Sequence, residues 1–197
     1  MLLQAFTKIG DASRLLLEKG FTPEAVTEAL GLVGEAIHVD RVYIFETITL
    51  ENGRPGAAQR YEWVAGSTEP QLDNPALQAV PFDEVMPDWW EAFSKGEAVC
   101  GKTAERPSPS REILEAQDVQ SLLVCPITLD GKLWGFVGFD DCHSARDWPT
   151  TEISLLKTLA RALGGSLRHT QMRSTLRDAR ENLVKVLESV DSATGRG

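Results

Sequence analysis

Three cysteines, Cys100, Cys125 and Cys142, and three histidines, His38, His143 and His169, are the side chains of this 197-residue chain best suited to nucleophilic or metal chemistry. A thiolate can attack an oxidised sulfur, and that reaction needs a second thiol to resolve the intermediate. No two of the cysteines stand at a short pairing such as C-x-x-C. An odd, sparse set fits a reducing compartment rather than a disulfide framework. The histidines are spread too far apart for spacing alone to assemble a metal site. His38, at a helix end, reads as a cap.

A second group of residues suits binding. Trp63, Trp89, Trp90, Phe93, Trp134 and Phe136 come from strands and from the segment that crosses between them. Aromatic walls with a few polar groups are what a small-ligand site requires. Leu114 falls on a short helix with Arg111, which could pair an anionic ligand, and Asp140 ends a strand where it could accept a hydrogen bond. The competing reading is that the tryptophans are core and Arg111 is a surface charge.

The elements that must position these groups are legible in the pattern. Leu2–Lys19 reads as a helix stopped by Gly20. Thr22-Pro23 opens a second, with Thr22 as N-cap and Val26, Leu30, Val33 and Ile37 as its buried face. Arg41–Thr49 is β-branched and aromatic enough for a strand, and Gln59–Ala65 is its hairpin partner across a Gly/Pro turn. Residues 66–88 are polar and proline-punctuated and read mostly as loop. Short helices are expected at Trp89–Lys95 and Arg111–Gln117, with a brief strand at Ala98–Cys100.

Ser121–Trp148 is the most informative stretch. Two apolar runs flank Asp130-Gly131, a dipeptide suited to a tight hairpin turn, and both parities of each run are apolar. Such strands are covered on both faces, so this hairpin belongs at the centre of a sheet layered with helices. From Pro149 one long helix follows. Ile153, Leu156, Ala160, Leu163 and Leu167 repeat at 3–4 spacing. Met172, Leu176, Ala179, Leu183, Val186 and Val190 do so two residues out of phase. The first half is expected on the sheet and the second as a coiled-coil stalk, with Gly164-Gly165 permitting close approach just before the change. The tail Ser192–Gly197 is expected to fray.

Net charge is −9 and 42% of residues are hydrophobic, an ordinary globular composition without the basic footprint for nucleic acid or anionic membrane. No run approaches the ~20 apolar residues of a membrane span, and the N-terminus is too short and polar for a signal peptide. The expectation is a cytoplasmic protein.

Leu30-Gly31, Ala36–Glu46, Trp89-Trp90…Phe93…Gly96, Ser121–Ile127, the Asp130-Gly131 turn, Leu133–Asp140 and Trp148…Glu152 together resemble the GAF domain of bacterial signalling proteins. The resemblance implies an α+β fold, an antiparallel sheet layered between helices, with long N- and C-terminal helices. It divides the chain into an N-terminal dimerisation helix (1–20), a sensor domain (21–168) and a signalling helix with its tail (169–197). It also implies a pocket between the sheet and residues 66–119, walled by the aromatic set with Arg111, Leu114 and Asp140.

By that resemblance the chain is a non-catalytic regulatory domain that binds a small molecule or a partner. It is expected to dimerise through its terminal helices and to signal to an output such as a kinase or cyclase. Phytochrome-like GAF domains attach a bilin through Cys-His on the helix before the Ser121–Ile127 strand. Cys142-His143 instead follows the last strand, so neither bilin nor haem, and no other cofactor, is expected. Gly96–Ala104 resembles part of the free-methionine sulfoxide reductases, but residues 117–120 lack those enzymes' other cysteine. Two alternatives to the sensor stay open: a dimerisation module whose pocket is filled by side chains, and a thiol enzyme acting through Cys100.

Overall fold

The fold is built on the local signals just described. In the computed structural model, which describes residues 2–66 and 68–194, helix α1 (Leu2–Lys19) ends at Gly20, whose φ of 77° lies in the left-handed region. Helix α2 (Pro23–Ile37) begins where Thr22 Oγ1 accepts a hydrogen bond from the Ala25 N–H at 3.3 Å. It stops at His38, a left-handed cap whose N–H donates to the Gly34 carbonyl. Satisfying these end groups is what sets the helix limits.

Strands β1 (Arg41–Thr49) and β2 (Pro55–Val64) form the first hairpin. The crossing segment is more structured than its composition suggests. Where loop was expected, it carries a 3-10 turn at Pro75–Leu77, strand β3 (Val80–Pro81) and helix α3 (Phe82–Val85). The cause is tertiary: Leu77, Val80 and Phe82 are buried against the sheet, and β3 pairs with the start of β2. Helix α4 (Pro87–Ser94), strand β4 (Val99–Lys102) and helix α5 (Ser108–Glu115) complete it.

Strands β5 (Ser121–Leu129) and β6 (Lys132–Asp141) turn at Asp130 and Gly131, both with positive φ, as a two-residue hairpin requires. The six strands run in the order β3-β2-β1-β6-β5-β4, each antiparallel to its neighbours. The β5–β6 hairpin therefore lies inside the sheet, as its doubly apolar runs predict.

Helix α6 (Thr150–Thr194) is continuous. Leu155, Leu156, Leu159, Ala160, Leu163 and Leu167 are buried, while residues 171–186 are exposed. At Gly164 a Cβ would lie 2.9 Å from the Thr128 carbonyl oxygen, so glycine lets α6 sit close over β5. The helix runs past Ser192; residues 195–197 of the expected frayed tail, and the Val190 side chain, lie outside the described residues. Among the described residues no helix is long and apolar enough to cross a membrane.

Two cores result. On one face α1, α2 and α6 cover Val42, Ile44, Leu123, Ile127, Val137 and Phe139. On the other, the crossing segment covers Tyr43, Phe45, Leu122, Val124 and Phe136. The architecture is α+β, an antiparallel sheet between helical layers with long terminal helices.

Candidate ligand-binding site

Alternation along β1 puts Arg41, Tyr43 and Phe45 on the crossing-segment face and Val42 and Ile44 on the helical face. Opposite them, Ile44 pairs with Tyr61 but Phe45 pairs with Gln59, so Arg60 is an extra residue in β2. Such a bulge reverses which face the following residues point to. It brings both Gln59 and Glu62, three positions apart, to the same side as Arg41 and Tyr43, where they line a cavity. The remaining wall comes from Phe136 and Asp140 of β6, Met86 and Trp89 at α4, and Ser110 and Leu114 of α5. Free space inside is about 40 Å³, room for a few waters.

The polar end of this cavity is deeply buried. Arg41 is 1% exposed and its Nε lies 3.5 Å from Asp140 Oδ2. The guanidinium also donates to the carbonyls of Glu69 (3.3 Å) and Gln117 (2.6 Å) and lies 3.1 Å from Cys142 Sγ. Burial alone would lower the pKa of Arg41, but the combined attraction of Asp140, Cys142, Glu62 and Tyr43 raises it. The Tyr43 hydroxyl donates to Asp140 Oδ1 at 2.9 Å. Burial pushes Asp140 up to about 7, against the pull of Arg41 and of that hydroxyl. Desolvation thus outweighs a single ion pair at 3.5 Å, as it does when a carboxylate is wholly removed from water. Glu62 accepts from Gln59 Nε2 (3.2 Å) and from the backbone N–H groups of Gln71 and Leu72.

Of the residues singled out in the sequence, Trp89, Leu114, Phe136 and Asp140 come together at this cavity. Phe93 is buried just behind, its ring 5.3 Å from that of Phe136. Trp90 is 39% exposed, with its ring 5.1 Å from that of Phe82. Arg111 stands at the surface, 4.0 Å from Glu115, and does not reach the cavity.

Trp63 and Trp134 lie on the opposite face. Trp63 covers Gly31 and Gly34 of α2, where a Cβ at Gly34 would be 2.3 Å from its ring. Trp134 packs near Phe21, 5.7 Å between centroids. Bulges explain both. Trp63 lies beyond the extra residue Arg60, opposite Val42, so it falls on the other face from Gln59, and Trp134 is itself the extra residue between Gly135 (opposite Ile127) and Leu133 (opposite Thr128). Sequence reasoning missed Arg41, Tyr43, Gln59 and Glu62. The available signal was the alternation Arg41, Tyr43, Phe45, which places a charge on an otherwise apolar face.

The cysteines are dispersed. Cys125 is buried in the helical-face core and burial pushes its thiol to about 12. Cys142, also pushed to about 12 by burial, stays protonated and weakly nucleophilic near neutral pH. Cys100 is exposed on β4 and does not line the cavity. His143 Nδ1 lies 2.9 Å from Asp40 Oδ2, which also accepts from the Cys142 N–H at 2.6 Å, so this dipeptide ties down the loop after β6. His169 is exposed on α6.

A sequence profile of the GAF domain matches residues 22–167. The chain belongs to the GAF domain family. Over 181 residues the chain is 37% identical to the methanogenesis regulatory histidine kinase FilI of Methanothrix harundinacea (strain 6Ac), covering 92% of this chain and 20% of the kinase. The chain thus spans about a fifth of that relative's length. The GAF fold is also that of a phycoerythrobilin-bound GAF domain from a cyanobacterial phytochrome, with TM-score 0.70 and 17% identity over 88% of this chain and all of the other. A far-red-absorbing dark state with bound biliverdin IXa gives TM-score 0.65 and 19% identity over 86% of this chain and 98% of the other.

These likenesses are of fold, and the pigments belong to those proteins. They nonetheless overturn the expectation that excluded bilins and every other cofactor, because GAF domains of this same architecture hold a bilin. That exclusion rested on where Cys142-His143 stands. The position of a nucleophile bears on one covalent link and not on whether the cavity admits a pigment.

Proposed function

We propose that this GAF domain is the ligand-sensing part of a histidine-kinase signalling protein, without catalysis of its own. Its occupant, a small ring-bearing molecule or a bilin that displaces the crossing segment, binds the cavity between β1, β2, β6 and α3–α5. The observation that carries this reading is a deeply buried polar set, Arg41, Asp140, Tyr43, Gln59 and Glu62, in a cavity otherwise lined mainly by apolar side chains. A core built only for stability has little use for that many polar groups, since burying them is costly unless each is paired.

Asp140 is the penultimate residue of β6, and α6 begins ten residues later, so a change at the cavity has a short covalent route to the long helix. Residues 1–20 and 169–197 act as the dimerising and signalling helices around the sensor at 21–168. Met172, Leu176 and Leu183 are exposed at heptad-like spacing, which supports a homodimer through the stalk. The likeness to FilI supports a kinase output. A ligand shifts such a dimer only by binding one helix arrangement better than the other.

The test is thermal melting and visible absorbance of the chain with biliverdin, phycoerythrobilin and a panel of uncharged ring compounds. Saturation at a hundred times Kd adds about 2.7 kcal/mol to stability. A rise confined to one compound class is expected, and a melt unmoved by all of them contradicts the reading. The small free volume, about 40 Å³, favours a second reading, a dimerisation module with the pocket filled by its own side chains. Under that reading no compound moves the melt, while a charge at Leu176 dissociates the dimer.

A further inference from the structure

The polar groups lining the cavity divide into those already engaged by the protein and those left over. The NH groups of Arg41 bond to Glu69 and Gln117, and its charge faces Asp140. Tyr43 donates to Asp140, Ser110 to the Pro107 carbonyl and Gln117 Nε2 to the Ile113 carbonyl. Both oxygens of Glu62 accept hydrogen bonds. Because Gln59 Nε2 donates to Glu62, whose two oxygens also accept from backbone N–H groups, the amide is fixed with Oε1 turned away from it. Gln59 Oε1 and Trp89 Nε1 are buried without a partner among the described residues, on residues each 3% exposed. One is an acceptor and the other a donor. Arg41 Nε, the third such lining atom, already faces Asp140.

Charge selects further. The lining holds one cation, Arg41, against Glu62 and Asp140, so an anion entering the cavity finds no unmatched positive charge. The sheet-side wall is aromatic, with Tyr43, Phe45 and Phe136, and the facing wall carries Trp89 together with the flexible Met86 and the aliphatic Leu114. Those surfaces suit a flat ring, and Met86 can yield to make room for it. We infer that the cavity recognises an uncharged planar ring carrying both an N–H donor and a carbonyl acceptor, the donor to Gln59 Oε1 and the acceptor to Trp89 Nε1–H. This rests on the proposed sensing role of the cavity and names the chemistry of what it senses.

Three near-isosteric probes separate the possibilities: pyridin-2-one, with donor and acceptor; N-methylpyridin-2-one, without the donor; and pyridine, with an acceptor alone. Each is titrated by NMR into the full chain, and into Gln59→Leu and Trp89→Phe variants whose folding is checked by circular dichroism. Each hydrogen bond made to an otherwise unpaired buried group is worth about tenfold in affinity. Pyridin-2-one is therefore expected to bind about tenfold tighter than the other two. Gln59→Leu should abolish that preference, and Trp89→Phe should weaken all three probes. Equal binding of the three to the unaltered chain overturns this inference and leaves the cavity a ligand site. Absence of binding by any of them at their solubility limits overturns the inference, and the sensing role falls with it when biliverdin and phycoerythrobilin also leave the melt unmoved.

Discussion

The two faces of the sheet are made by the same strands but are filled differently. Between the sheet and the long helices, Val42, Ile44, Leu123, Ile127, Leu156, Leu159 and Leu163 are all fully buried and apolar. Beneath the short helices of the crossing segment the same strands present Arg41, Tyr43, Gln59, Glu62 and Asp140 around free space. The first face is packed as a protein interior normally is, and long helices supply its area. The second couples apolar contacts to a buried ion pair whose carboxylate sits near its titration point at neutral pH. On the proposed reading, stability and responsiveness are divided between opposite sides of one sheet.

The comparison breaks most directly if truncations on the two faces cost the same. Leu159→Ala opens a cavity in a region held by long helices and is expected to cost about 4 kcal/mol in chemical denaturation. Leu114→Ala, on the eight-residue helix α5, is expected to cost about 2 kcal/mol because a short segment can settle into the gap. Equal losses would mean that the crossing segment is as rigid as the helical layer.

Titration sharpens it next. Asp140 has a folded pKa of about 7, above the ordinary carboxylate range. The native state therefore holds a proton that the unfolded chain has released. Stability from this group is fully present below about pH 4 and is lost as pH rises through 7. Between pH 5 and 8 the unaltered chain should lose on the order of 2 kcal/mol relative to Asp140→Asn. Parallel pH profiles for the two would show that burial does not dominate at Asp140.

The smallest effect on stability is expected outside both faces. Leu176 is 68% exposed, and Leu176→Glu should change the unfolding free energy by less than about 0.5 kcal/mol. Analytical ultracentrifugation should nevertheless show loss of self-association. An unchanged dimer would place its contacts elsewhere, and a large loss of stability would make the stalk part of the core.

The limits of most elements were legible because they are set locally. Thr22, Gly20 and the Asp130-Gly131 turn each satisfy or release backbone groups within a few residues. The division of α6 into a packed half and an exposed half followed from the phase change of its apolar repeat. Illegible were features fixed only by pairing. Bulges at Arg60 and Trp134 leave no mark in hydrophobic alternation, yet they decide that Trp63 and Trp134 face α2 and Phe21 while Gln59 and Glu62 share the cavity. Short elements such as β3 and α3 form because Val80 and Phe82 find a surface to cover, which no local propensity records.

The sensing role requires that the cavity hold a ligand. Native mass spectrometry of the chain from its own host, and after reconstitution with biliverdin, compares the unaltered protein with Ser110→Leu. Ser110 is 1% exposed in the cavity wall, and the larger side chain occupies the free space. The expected result is a reproducible bound mass on the unaltered chain that is missing from the folded variant. An empty unaltered chain under both conditions, or the same mass carried by folded Ser110→Leu, would contradict it.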